Sequence, residues 1–154
     1  MNKQLSFYNI FCLLLIFGFF IDSSYSQNLN KVGVSITNKI QDSVKVIYLL
    51  NQSKTQFTQN DSIALAYGIE ALKIAKETAN QDLILASYNH LLYHYYQLED
   101  IDSAKDISTQ AEQTVLKASN IAEKAKFYLL IGQIHNKAKE FSLAQFYFEK
   151  SIEG

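Results

Sequence analysis

Two histidines stand four residues apart in the middle of the chain, at His90 and His94. On a helix this spacing brings both imidazoles to one face, as a zinc site requires. A zinc site also needs a third ligand, and no cysteine, aspartate or glutamate lies at helical spacing on that face. The remaining histidine, His135, belongs to a later repeat of the chain. The sequence therefore predicts no metal site, and we expect the pair to lie on the polar or partly buried side of its helix.

No other group of residues points to catalysis. The carboxylates Glu99, Asp100 and Asp102 lie where the apolar pattern breaks, so helix capping accounts for them. A general base at His135 would need a nucleophile or substrate group within reach, and the sequence indicates none. The glycines inside the helical patterns are isolated and do not form a phosphate-binding loop. We therefore predict that the protein is not an enzyme and that it holds no cofactor.

The composition of the chain argues against a nucleic-acid partner. The chain has 154 residues, of which 48% are hydrophobic and 19% are charged, with a net charge of -1. All 14 basic residues are lysines, whereas nucleic-acid binding relies on arginine forks and a positive surface, so we expect no nucleic-acid partner. The chain has no proline, which allows long helices throughout, and its single cysteine, Cys12, lies close to the N-terminus.

The beginning of the chain has the pattern of an export signal. Lys3 precedes the apolar stretch Ile10–Ile21, and small residues follow at the positions expected before a cleavage at Gln27. The apolar stretch is shorter than the roughly 20 residues that a membrane-spanning helix needs. We therefore predict a signal peptide over 1–26, a polar lead-in over 27–37, and a periplasmic or extracellular protein whose mature chain has no membrane span. Retention of the signal as an uncleaved anchor is the alternative.

From residue 38 onward the apolar residues recur with the period of amphipathic helices. Clusters of Asn, Asp and Ser interrupt this pattern, and such residues cap the first turn of a following helix. The breaks predict six helices, near residues 38–57, 61–79, 82–98, 102–118, 121–138 and 142–152.

Small residues recur every 40 residues in the second helix of each predicted pair. Small side chains along one stripe allow the two helices to lie close, because large ones would force them apart. Self-similarity at a fixed period is the signature of a solenoid. The residues that share these two repeat positions are Ala64, Ala104 and Ala144, and Ala71, Ala111 and Ser151.

The chain resembles the tetratricopeptide repeat family over residues 38–154. The resemblance implies an all-α fold, a right-handed α-solenoid of antiparallel helix pairs, with repeats at about 38–80, 81–120 and 121–154 and the last one uncapped. Two features depart from the family: the interval of 40 residues exceeds its usual length of about 34, and the proline between repeats is missing. The third repeat carries the two helix signatures at Tyr128, Ile131, Gly132 and His135, and at Phe141, Ala144, Phe148 and Ser151.

In this family the first helices of the pairs line a concave groove. Tyr93 and Tyr96 lie on a different helical face from the core tyrosines Tyr88 and Tyr95, and exposed tyrosines give contact area at low entropy cost. The resemblance implies a groove that is aromatic, amide-rich and mildly basic and that suits an extended peptide or a partner helix. A solvated face without a partner is the alternative. The predicted groove residues are Asn89, Tyr93, Tyr96, Gln97, Lys126, Gln133, Asn136 and Lys137, with Ser53 and Gln56 from the first repeat.

We therefore predict a non-catalytic scaffold that binds a protein or peptide outside the cytoplasm. In the last helix Phe146, Phe148 and Ile152 have no following helix to cover them, which predicts self-association or continuation of the chain through this end. The segment that begins at Asp42-Ser43-Val44 resembles the exported sensory fronts of bacterial membrane histidine kinases. This resemblance implies an alternative, in which the chain is the N-terminal sensory region of a longer signalling protein.

Overall fold

The computed structural model describes residue 38 and residues 40–153, so the predicted signal peptide and polar lead-in lie outside the described residues. The described residues form six α-helices and no strand, which confirms the predicted all-α class. Each of the last five helices begins and ends within one residue of its predicted bounds. None of the helices in this part of the chain is long and apolar enough to cross a membrane. The helices are α1 (residues 40–56), α2 (Asp61–Thr78), α3 (Gln81–Gln97), α4 (Ile101–Lys117), α5 (Ile121–Lys137) and α6 (Phe141–Ile152).

Amide or carboxylate side chains start the helices at an interval of 20 residues. Asn60, Asn80, Asp100 and Asn120 each precede a helix, and their side-chain oxygens accept hydrogen bonds from first-turn backbone amides at 3.0–3.2 Å. Each such cap stabilises its helix by about 1 kcal/mol. Glu140 occupies the same position before α6, but its side chain makes no capping bond.

Helices α3 and α5 end in the same tight turn. Glu99 and Lys139 adopt left-handed backbone conformations, with φ of 59° and 63°. The backbone amides of Asp100 and Glu140 donate to carbonyl oxygens five residues earlier, at 3.0 and 2.9 Å. This is the Schellman motif, in which glycine usually occupies the left-handed position because a side chain there is strained. The turn folds each first helix back onto the second helix of its pair.

Five of the six small residues of the repeat are buried, as the sequence predicts, and Ser151 is half-buried. Ala64 and Ala104 have no exposed surface and Ala144 has only 3%. Gly132 is also a point of close approach, because a Cβ atom there would lie 2.5 Å from the ring of Phe148. The close packing of each helix pair therefore depends on these residues lacking a large side chain.

Each helix packs against the next, and the first helices of the pairs also lie side by side. Helix α5 packs against both α3 and α4. Helix α1 reaches α3 through Ser53, whose hydroxyl lies 3.1 Å from Nε2 of His94, and the ring centroid of Phe57, directly after α1, is 4.3 Å from that of His94. The sequence positions of the α3–α5 contacts rise together along both helices, so these two helices run parallel.

Candidate functional site

The three first helices present a shared exposed surface, which we call the α1–α3–α5 face. Its large aromatic member is Tyr93, which is 44% exposed. The others are polar and lie exposed or half-buried. The face consists of Lys54 on α1, Tyr93 and Gln97 on α3, and Lys126 and Gln133 on α5.

Four of the eight predicted groove residues lie on this face: Tyr93, Gln97, Lys126 and Gln133. Tyr96 and Lys137 join α3 to α5, because the ammonium nitrogen of Lys137 lies 4.8 Å from the centroid of the Tyr96 ring. The same ammonium forms an ion pair with Glu99 at 2.9 Å. Lys137 therefore already has partners for its charge within the molecule.

Asn136 is exposed, but it lines a second groove between α5 and α6 at the end of the described residues. The equivalent residue one repeat earlier is Tyr96, which faces α5. Asn136 thus faces the direction in which a further helix would lie.

The prediction that Asn89 lines the groove is wrong. Asn89 has no exposed surface, and its amide nitrogen donates to the backbone oxygen of Glu123 at 2.8 Å and to the carboxylate of Glu123 at 2.7 Å. Helix α5 covers this position of α3, so Asn89 joins two helices and does not meet a partner. Ser53 is likewise fully buried, whereas Gln56 is half-buried.

A buried polar cluster lies beneath the face, where α1, α2 and α3 meet. The hydroxyl of Ser53 donates to the backbone oxygen of Ala64 at 2.5 Å, and Nε2 of His94 lies 3.1 Å from the same hydroxyl. Nε2 of His90 lies 2.8 Å from Nε2 of His94. The hydroxyl has a single proton, and the carbonyl of Ala64 can only accept, so Nε2 of His94 donates to Ser53.

This arrangement keeps both imidazoles neutral. Nε2 of His94 bears a proton, so Nε2 of His90 must be unprotonated at a separation of 2.8 Å. Burial, the neighbouring His94 and the charges of Lys126 and Lys54 lower the pKa of His90 to about 4. Burial also lowers the pKa of His94, against an opposing effect of Asp61. At neutral pH the cluster therefore adds no charge to the face above it.

The charge of the face comes from two lysines. Lys54 on α1 and Lys126 on α5 both lie near enough to the His90 ring to lower its pKa. Neither has an ion-pair partner among the described residues, in contrast to Lys105 and Lys137. The α1–α3–α5 face thus combines an exposed aromatic side chain with two lysines that have no ion-pair partner among the described residues.

Lys54 was missed in the sequence-based prediction of the groove. The register gives no signal for it, since its equivalents one and two repeats later are the buried residues His94 and Ile134.

The third histidine, His135, takes part in contacts that link three helices. Nδ1 of His135 donates to the carboxylate of Glu140 at 2.5 Å, and its ring stacks on Tyr147 with centroids 5.3 Å apart. Glu140 also accepts from Lys105 at 2.7 Å, so these contacts link α4, α5 and the start of α6. No group of three or more His, Cys, Asp or Glu residues is placed to hold a metal ion in residues 38 and 40–153.

Comparison of the chain with protein-family models, with curated proteins and with solved structures found no match in any of the three. Membership of the tetratricopeptide repeat family therefore stays a prediction from the repeat pattern.

Proposed function

We propose that this protein is a non-catalytic binding module that acts outside the cytoplasm and holds a segment of another protein on its α1–α3–α5 face. The proposal includes a solenoid arrangement of tetratricopeptide-like helix pairs. Support comes from the burial of the alanines at the 40-residue interval and from the side-by-side packing of α3 and α5. Such packing aligns residues from several helices along one surface, which suits an extended or helical segment.

The observation that carries the proposal is the exposed Tyr93 on α3, which packs against both α1 and α5, where Lys54 and Lys126 lack ion-pair partners among the described residues. A tyrosine of which 44% is exposed offers a rigid, amphipathic surface that is frequent at binding sites. Lys54 and Lys126 favour acidic groups on the partner, because His90 and His94 are neutral at physiological pH. We therefore expect a partner segment that carries aspartate or glutamate next to an apolar residue.

The cluster beneath the face makes it a rigid platform. Ser53 on α1 and His94 on α3 are joined by a directional hydrogen bond, and the ring of Phe57 packs 4.3 Å from the His94 ring. The backbones that carry Lys54 and Tyr93 are consequently held together before binding. A preorganised surface loses less conformational entropy on binding and so binds more tightly.

The proposal is tested by selecting binders from a library of displayed random peptides and measuring selected peptides by fluorescence polarisation. We expect the selected peptides to be enriched in aspartate and glutamate, and Tyr93→Ala to weaken their binding about tenfold, which is about 1.4 kcal/mol. Lys126→Gln should weaken binding less and should reduce its dependence on salt, since exposed charges are screened.

Lys117→Gln is the matched control, because Lys117 is an exposed lysine at the end of α4 and lies outside the face. It removes the same charge and should leave binding unchanged. Equal affinities for the Tyr93, Lys126 and Lys117 variants, with circular dichroism unchanged, would place the peptide elsewhere and overturn the proposal.

A further inference from the structure

The two ends of the described helices carry uncovered apolar surfaces. At the first end, Val44, Ile47 and Tyr48 on α1 are 61%, 52% and 58% exposed. They lie at i, i+3 and i+4 and form one stripe, which we call the head. The residues at the same positions one repeat later are almost completely buried: Ile84, Ser87 and Tyr88, with 6%, 0% and 3% exposed.

At the other end, the groove between α5 and α6 has a volume of about 590 Å³ and is lined mainly by apolar side chains. We call this groove the tail. Leu129, Phe141 and Ile152 line it and are 43%, 65% and 84% exposed. Two repeats earlier, the positions of Leu129 and Ile152 are occupied by Leu49 and Leu72, which are each only 7% exposed.

The molecule itself shows how these two kinds of surface fit together. Helix α3 covers the first helix pair: its Leu91 meets α2 at Gly68, where an added Cβ atom would lie 2.9 Å from the leucine side chain. Helix α5 covers the second pair, and the contact of Glu123 with Asn89 lies in that interface. The buried face of α3 is equivalent to the head, and the covered surface of each earlier pair is equivalent to the tail.

The head and the tail are therefore the two unpaired halves of an interface that occurs twice inside the molecule. We propose that copies of this chain associate head to tail, with the apolar stripe of α1 in one copy packing into the α5–α6 groove of the next copy. The contact would continue the side-by-side packing of α1, α3 and α5 across the boundary between two molecules.

This contact uses two different surfaces, so it does not close on itself in a dimer. Each added copy leaves one free head and one free tail, which gives short chains that lengthen with concentration. One helix in one groove lies at the small end of specific interfaces, so we expect association in the micromolar range.

The test uses two variants of the full chain, each of which blocks one surface. Ile47→Lys places a charge on the head, and Phe141→Lys places a charge in the tail. Both side chains are more than half exposed, so the changes remove little packing within the molecule. Leu116→Lys is the matched control, because Leu116 is 67% exposed and lies on α4, away from both surfaces.

Sedimentation velocity across a concentration series should show the wild-type chain and the Leu116→Lys variant growing into dimers and longer species. Each blocked variant alone should stay monomeric. An equimolar mixture of the two blocked variants should form a dimer and grow no further, because one unblocked head meets one unblocked tail. Only a contact between two different surfaces gives this recovery on mixing.

Three results would overturn the proposal. A wild-type chain that is monomeric at the highest concentrations would show that another segment or partner covers these surfaces. Association of the Ile47→Lys variant alone would point to tail-to-tail pairing. Monomeric blocked variants whose mixture stays monomeric would show that the two surfaces do not bind each other.

Discussion

The two junctions between successive first helices have the same geometry but different chemistry. At the junction of α1 with α3, His90 and His94 lie against Ser53. At the equivalent positions of α5, 40 residues later, the chain has Leu130 and Ile134, which are 5% and 1% exposed. The same backbone arrangement thus accommodates a histidine cluster at one junction and aliphatic side chains at the same positions of the other, where Asn89 also donates to Glu123.

The difference between the two junctions affects how each one stabilises the fold and how its stability depends on pH. Apolar packing stabilises a junction in proportion to buried area and is insensitive to pH. A polar cluster fixes one geometry, but it loses stability whenever its protonation changes or a polar atom lacks a partner. Nδ1 of His94 is such an atom, because it is buried without a hydrogen-bond partner among the described residues.

Acidification should destabilise the junction of α1 with α3 but not the junction of α3 with α5. We expect this loss of folding stability to be the largest of the predicted effects. The pKa of His90 is about 4 in the folded chain and about 6.5 in the unfolded chain, so the unfolded state binds more protons between these values. The free energy of unfolding should therefore fall by on the order of 2–3 kcal/mol as the pH drops from about 6.5 to 4. Urea unfolding at a series of pH values measures this loss.

The double variant His90→Leu with His94→Ile gives the first junction the residues of the second. Its free energy of unfolding should change little over the same pH interval. Asn136→Ala is the control, because Asn136 is an exposed residue outside the cluster and carries no titratable group, so it should keep the wild-type pH dependence. Equal pH dependence in the double variant and the wild type would show that the cluster does not titrate as described.

Removing the buried side-chain amide of Asn89 should destabilise the junction of α3 with α5. Asn89→Ala deletes two hydrogen bonds to Glu123 and leaves a buried gap, so we expect the chain to lose about 1–3 kcal/mol of stability. Asn89→Leu, which introduces the residue found at this position in the other two repeats, should cost less. Thermal and urea unfolding measure both changes, and Asn136→Ala, at an exposed position, should stay within about 0.5 kcal/mol of the wild type. A loss for Asn89→Ala no larger than that for Asn136→Ala would contradict the assigned role.

The turns that close the helix pairs are alike in both later repeats, and relieving their strain should give the smallest effect. Lys139→Gly removes a side chain from a left-handed position, so it should raise the stability by about 0.5–1 kcal/mol. Ala138→Gly changes the neighbouring residue, which has a right-handed conformation, and should lower the stability instead. A rise in melting temperature for Lys139→Gly with a fall for Ala138→Gly supports the turn geometry, and the opposite order would exclude it.

The helices could be predicted almost completely from the sequence because their signals are local. Asn60 and Asp100 stand at breaks of the apolar period and cap the next helix. The residue that determines each helix start therefore lies within a few residues of that start. The burial of Ala104 also followed from a local pattern repeated at a fixed interval. Propensity, capping and periodicity agree along this chain, and such agreement makes helix bounds easy to locate.

The site could be predicted only in part because burial at the junctions depends on distant residues. The sequence predicts that the polar residue Asn89 faces solvent. In the structure it is buried against Glu123, which lies 34 residues further along the chain. Ser53 and His94 are 41 residues apart, and their contact depends on the register between two helices. The export signal, the repeat family and the alternative sensory role concern residues or relationships outside these contacts, and they stay predictions.

The proposed binding function requires the α1–α3–α5 face to be the surface that the partner contacts. The most direct measurement is to titrate a selected acidic peptide into the isotope-labelled chain and follow the backbone amide resonances. We predict that the resonances of Lys54, Tyr93, Lys126 and Gln133 shift together, while those of α2 and α4 on the opposite side change little. Shifts confined to α2, α4 and α6, with α3 and α5 unaffected, would contradict the account.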